Sequence, residues 1–307
     1  MTWRPIVVGV DASLEGAWAA TAGAALARTA GTTCHLVHAT REGVPAVALA
    51  ELTEQAGELV AAHIAAVHDR VASRMWGVVP ETAIDQLKVR IGRPARVLKD
   101  VVHETGAELV VLGGKHHSTL GRWMAGSTAL DVVRSLDVPV LVTMSARTPV
   151  RRVLAAVDVS GAARPTIAAA ERFAETVGAQ LRIISVLEPL PVLPDAPSYP
   201  TGEFFNMLEE RVTSQVWPLV KGRDTEKFVR YGPPVDLIAA EAAEWEADLV
   251  VVGSHGKGLI DRLLIGSVTE RLLNQLPTSL LVLPAHSNVE ARAAATATTM
   301  STPQLVG

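Results

Sequence analysis

Apolar positions along this chain fall into short runs separated by stretches of helical period. Ile6–Val10 is a strand-length apolar run, and Leu14–Ala30 follows as an Ala-rich helix that Gly31 should close. Cys34–Ala39 reads as a second strand, and a long helix should cover about 45–76. A third strand is expected over Ile84–Ile91, then a helix from Pro94 to Thr105 closed by Gly106. The Leu109–Leu112 strand, a helix from Ser127 and a last strand Val138–Thr143 complete the set. Continuous Val/Leu/Ile runs alternating with helices imply a parallel sheet covered on both faces.

The pattern then repeats. AELVVLG at 107–113 recurs as ADLVVVG at 247–253, an offset of 140, and IVVGVDAS at 6–13 recurs as VLAAVDVS at 153–160, an offset of 147. A period of that length is one domain rather than one turn of a solenoid. The expected fold is therefore α/β: two tandem doubly wound domains, each a five-stranded parallel sheet in the order 3-2-1-4-5. Domain 1 should cover 1–146 and domain 2 150–285, joined at the short polar segment SARTPVR. The second half carries an added Pro-rich loop, EPLPVLPDAPSYPTG, and 286–307, rich in Ala and Thr without a period, read as a disordered tail.

Composition narrows the function. The 307 residues carry a net charge of −4, with Lys and Arg spread along the chain, which gives no basic excess for nucleic acid. The single cysteine, Cys34, excludes a disulfide framework, and no window is apolar enough for a signal core or a membrane span. The expected setting is cytoplasmic, with neither nucleic acid nor membrane as partner. His116, His117 and His255 lack the spacing of a metal site, so no metal is expected.

Candidate chemistry gathers where the strand order reverses, since open parallel sheets bind ligands beyond the carboxyl ends of their strands at that point. In domain 2 this places Asp158 and Ser160 beside Gly253 and Gly256; in domain 1 it places Asp11 and Ser13 beside Gly113 and His116. A special backbone is expected at Gly253, where the chain leaves the fourth strand. Gly266 and Ser267 open a helix whose unpaired N–H groups and positive dipole end suit phosphate oxygens, while Asp158 suits a ribose hydroxyl. A purely local reading competes with this one: Ser267-Val-Thr-Glu270 has the form of a capping box, and Asp11 and Asp158 could cap the helices that follow them. Walker and dinucleotide loops both belong after a first strand, where this chain has DASLEG and DVSGAA instead.

Gly253-Ser-His-Gly256, nine residues, then Gly266-Ser267 resembles the nucleotide loop of the universal stress protein family, and the resemblance runs through both copies. It implies an ATP-binding fold, with Mg2+ as an optional companion of the nucleotide. Asp158 and Val186 would flank adenosine, and Gly253, Gly256, Gly266 and Ser267 would line the triphosphate. In domain 1 the corresponding residues are Asp11, Ala39, Gly113, Gly126 and Ser127, with His116 in place of the second glycine. The resemblance also implies that the halves pair through their last strands, Val138–Thr143 and Ser279–Leu283. It points to a nucleotide-dependent regulator or sensor of stress, working through a signalling partner or a homo-oligomer and not through dedicated catalysis. Two alternatives stay open: a slow ATPase and a ligand-independent scaffold.

Overall fold

A computed structural model describes residues 5–41, 54–117, 122–124, 127–145, 149–188, 201–222, 224–254, 265–275 and 278–284. The first half contains β1 (Ile6–Gly9), α1 (Leu14–Ala30), β2 (Cys34–Thr40), α2 (Glu54–Met75), a short α3 (Glu81–Ile84) and β3 (Lys88–Ile91). It continues through α4 (Pro94–Thr105), β4 (Leu109–Gly113), a hairpin of β5 (Lys115–His117) and β6 (Arg122–Met124), α5 (Ser127–Ser135) and β7 (Val140–Thr143). The second half runs β8 (Arg152–Val157), α6 (Ala163–Val177), β9 (Gln180–Leu187), α7 (Thr201–Gln215), β10 (Glu226–Tyr231), α8 (Pro234–Glu244), β11 (Leu249–Gly253), α9 (Ser267–Gln275) and β12 (Ser279–Leu283). As the sequence indicates, Gly31 and Gly106 end α1 and α4 in left-handed backbone, at φ 63° and 64°, where a β-carbon would be strained.

Ten strands form one sheet in the order β10-β9-β8-β11-β12-β7-β4-β1-β2-β3. Each half is thus a 3-2-1-4-5 unit with parallel neighbours, and the two units join through antiparallel pairing of β12 with β7, Leu281 opposite Leu141. This is the pairing of last strands that the sequence resemblance implies. Successive residues along a strand point to opposite faces, so Ile6 and Val8 enter one core and Val7 the other, all fully buried. Both cores cross the joint: Leu141 and Leu281 belong to the first, and Val140, Val142, Leu280 and Val282 to the second.

Three expectations change. Residues 81–84 are helical, and β3 begins only at Lys88, because the Ala83 and Ile84 N–H groups both donate to the Pro80 carbonyl and wind the chain before it extends. Ile84 is buried as a helical residue, so its apolar character imitated the start of a strand. The last strand of domain 1 begins at Val140, two residues later than expected, while the part of the long second helix expected before Glu54 lies outside the described residues. The segment after β4, expected to be irregular, forms the β5–β6 hairpin and rests on α9 of the other half. The Pro-rich loop from 189 to 200 and the tail at 286–307 lie outside the described residues.

Candidate functional site

The turn after β1 is built by Asp11 and Ser13. The Ser13 N–H donates to Asp11 Oδ1 at 3.1 Å, the Ser13 hydroxyl donates to the same oxygen, and the Gly16 N–H donates to Ser13 Oγ at 3.0 Å. Ser13 is therefore the N-cap of α1, and Asp11 orients the cap. Gly16 makes this possible, because a β-carbon there would lie 2.5 Å from the Asp11 carbonyl and 2.7 Å from its carboxylate. The second half repeats the turn with a difference: Ser160 donates from its N–H to Asp158 Oδ1 at 3.0 Å and from its hydroxyl at 2.5 Å. Its α6 starts five residues past Asp158 instead of three past Asp11, with Ala163 in the repeat position of Gly16. The local reading of the aspartates is thus partly realised in domain 1, with serine as the cap and aspartate as its support, whereas in domain 2 the N-cap of α6 is Ala162 and no side chain caps it.

Gly113 ends β4 in extended backbone, paired with Thr143, and Gly253 ends β11 in the same way, paired with Leu283. The special backbone expected at Gly253 is absent. What demands glycine at Gly113 is proximity: an added β-carbon would sit 2.3 Å from the Glu15 carbonyl oxygen. The end of β4 therefore presses directly on the first turn of α1, which closes one side of the switch point.

Between these walls lies a cleft of about 240 Å3 lined by Asp11, Ser13, His38, Ala39 and Gly113, with Pro94, Leu98, Thr128 and Ala129 opposite. Asp11, Ser13, Ala39 and Gly113 were legible as candidates; Gly16, His38 and Thr128 were not singled out. His38 has its Nδ1 2.7 Å from the Val10 carbonyl oxygen, a contact set by the parallel register of β1 and β2. Its signal in the sequence was position alone, one residue before Ala39 at the end of the strand beside β1. His116 pairs in register with Trp123 inside the hairpin. Gly126 lies outside the described residues, as does Gly256, while Ser127 is the first residue of α5.

In domain 2, Asp158, Ser160 and Gly253 follow or end the central strands, and Val186 lies near the end of β9. Gly266 donates its N–H to the Ser254 carbonyl at 2.8 Å and accepts from the Glu270 N–H at 3.0 Å. Gly266 thereby takes the cap position, and Ser267 is the exposed first residue of α9, so the capping box expected from Ser267 and Glu270 does not form. The Glu270 carboxylate instead lies 3.5 Å from Arg134 Nη2 of domain 1. Thr269 Oγ1 donates to the Gly253 carbonyl at 2.7 Å and ties α9 to the strand end.

Two groups with displaced titration lie at the start of β2, away from the cleft. Burial pushes the Cys34 thiol up to about 11, and burial together with the Lys88 charge lowers His35. Among the described residues no cluster of His, Cys, Asp or Glu could hold a metal ion, and no helix is long and apolar enough to cross a membrane.

A tandem, doubly wound α/β protein with a cleft at a strand-order reversal is the class that this geometry defines. The sequence profile of the universal stress protein family matches residues 2–143 and again 149–284, and the chain belongs to that family. A universal stress protein of Mycolicibacterium smegmatis is 28% identical over 91% of this chain and 96% of its own length. One from Mycobacterium tuberculosis is 26% identical over 90% and 96%. Among solved structures, a universal stress protein of Archaeoglobus fulgidus superposes with a TM-score of 0.57 at 17% identity, covering 91% of this chain and 97% of its own. That likeness establishes the shared fold.

Proposed function

We propose that this chain binds adenine nucleotide, with or without Mg2+, at its strand-order reversals, and acts as a cytoplasmic nucleotide-dependent regulator or sensor of stress. The observation that carries the reading is the convergence of Asp11, Ser13, Ala39 and Gly113 on one cleft, beside the start of α5. Asp11 supplies acceptor oxygens beside a short-side-chain wall at Ala39, an arrangement suited to a ribose with a flat base next to it. Thr128, in the first turn of α5, stands where helix N–H groups and the dipole favour phosphate. In domain 2 the matching elements are Asp158, Ser160, Val186, Gly253, Gly266 and Ser267. As a binding protein, the chain would pass on occupancy through conformation or choice of partner, without a dedicated reaction.

Calorimetric titration with ATP of the wild type, Asp11→Ala and Asp158→Ala tests this reading. Each variant should weaken one site about ten- to hundredfold, the loss expected for a hydrogen bond to a charged group. Wild-type protein that binds no ATP would leave the scaffold reading in its place.

A further inference from the structure

The cleft of about 240 Å3 is smaller than the roughly 300–1,000 Å3 of ordinary ligand pockets. Next to it, between α4 and α5, is a groove of about 1350 Å3 that shares Pro94 and Thr128 with the cleft as walls. Arg41, Arg93, Arg96, Lys99 and Arg134 line the groove, with Asp100, Asp131 and Asp137 as its acids. Arg96 Nε stands 3.9 Å from Asp100, and Arg134 faces Glu270; among the described residues no carboxylate pairs with Arg41, Arg93 or Lys99. Arg93 is also the N-cap residue of α4 and makes no side-chain cap bond, so the positive end of the α4 dipole points the same way as these cations.

The internal repeat supplies a control for whether this charge merely accompanies the fold. With the offset of 147 Arg41 corresponds to Glu188, and with the offset of 140 Arg93, Arg96, Lys99 and Arg134 correspond to Pro233, Asp236, Ala239 and Asn274. All five cations of domain 1 are lost, and two of the five positions become acidic. The two domains share strand order, and the helices opened by Pro94 and Ser127 recur at Pro234 and Ser267, so the backbone does not require these charges. Domain 1 is also the half whose loop has His116 where domain 2 has Gly256.

We infer that the groove between α4 and α5 seats the phosphate chain of a nucleoside polyphosphate whose nucleoside occupies the Asp11 cleft, so that domain 1 holds phosphates by arginine and lysine side chains rather than by a glycine loop. This rests on the nucleotide reading above. Guanidinium groups bind phosphate oxygens in pairs and remain charged at all physiological pH, which suits a ligand of several linked phosphates. A nucleoside or a monophosphate would fill the cleft and leave the groove open. Domain 2, lacking the cations, would hold its phosphates at the start of α9 instead.

The test compares ATP, AMP and inorganic tripolyphosphate on the full chain, as wild type and as the triple variant Arg93→Ala/Arg96→Ala/Lys99→Ala, with circular dichroism reporting the fold. Asp11→Ala identifies which binding event belongs to domain 1. At that site the triple variant should weaken ATP about tenfold or more while changing AMP less than about twofold, and added salt should weaken ATP more than AMP. ATP affinity at the domain 1 site unchanged in the triple variant would overturn the inference, as would equal losses for ATP and AMP. If the wild type binds neither nucleotide, the nucleotide reading has failed separately, and tripolyphosphate then decides whether the groove is an anion seat. Tripolyphosphate binding that disappears in the triple variant supports the seat; wild-type protein that ignores tripolyphosphate as well overturns it.

Discussion

At the scale of single residues, close approach matters more here than unusual backbone. Gly16 and Gly113 have no side chain because Asp11 and Glu15 stand where one would be. Gly113→Ala must either push α1 from β4 or shift both, and overpacking of this kind costs roughly 1–3 kcal/mol. Chemical denaturation of Gly113→Ala should show that loss, together with weaker nucleotide binding; wild-type stability would mean that the helix yields freely. Cys34 offers an independent check on burial. With its thiol raised to about 11, it stays protonated at neutral pH, and its thiolate population at pH 8 is about a hundredfold below that of a free cysteine. Thiol labelling of native protein should therefore be slow and should accelerate on unfolding. Because the unfolded thiol ionises first as pH rises, stability from this group is intact below the unfolded value and declines as pH climbs toward the folded one.

At the scale of elements, strand and helix order was legible because the chain obeys two periods, with continuous apolar runs for strands buried on both faces and capped, Ala-rich or amphipathic stretches for helices. Leu14–Ala30 and Pro94–Thr105 match the expected bounds because their ends carry local chemistry, Ser13 and Gly31 for one, Pro94 and Gly106 for the other. The turn into β3 was not legible, since Ile84 is apolar in helix and strand alike. Nor was the hairpin, because its packing partner α9 lies in the other half and no local pattern announces it. The cap at α9 went to Gly266 instead of Ser267, freeing Glu270 to face Arg134. That ion pair is about a third exposed on each side, so a double-mutant cycle on Arg134 and Glu270 should give less than about 1 kcal/mol. Leu281→Ala, in the fully buried joint between β12 and β7, should by contrast cost about 2–5 kcal/mol. A larger coupling from the ion pair than from the leucine would reverse this ranking of what holds the halves together.

For the whole molecule, the duplication produces one sheet and two cores that both run across the joint, and Arg172 of the second half reaches Glu108 of the first at 3.0 Å. Cutting between the halves would expose Leu141 and Leu281, so each half depends on the other. Calorimetric unfolding without ligand should accordingly give a single cooperative transition, whereas two well-separated transitions would show that the halves fold independently. The repeat also explains which part of the site could be read in advance. Asp11 and Asp158 stood out because they occupy the same place in both copies, while the cations of the α4–α5 groove have no counterpart in the second copy and drew no notice. Both copies keep the aspartate–serine contact after their first strand, whereas the α4–α5 groove of the first has diverged in charge from its counterpart.

The central claim is that the strand-order reversals hold nucleotide, and thermal unfolding with and without ATP and Mg2+ tests it most directly. A ligand at about 100 times its dissociation constant adds roughly 2.7 kcal/mol to the folded state, which should raise the midpoint by several degrees in wild type and by less in Asp11→Ala/Asp158→Ala. An unchanged midpoint at millimolar ATP in the wild type would contradict the account.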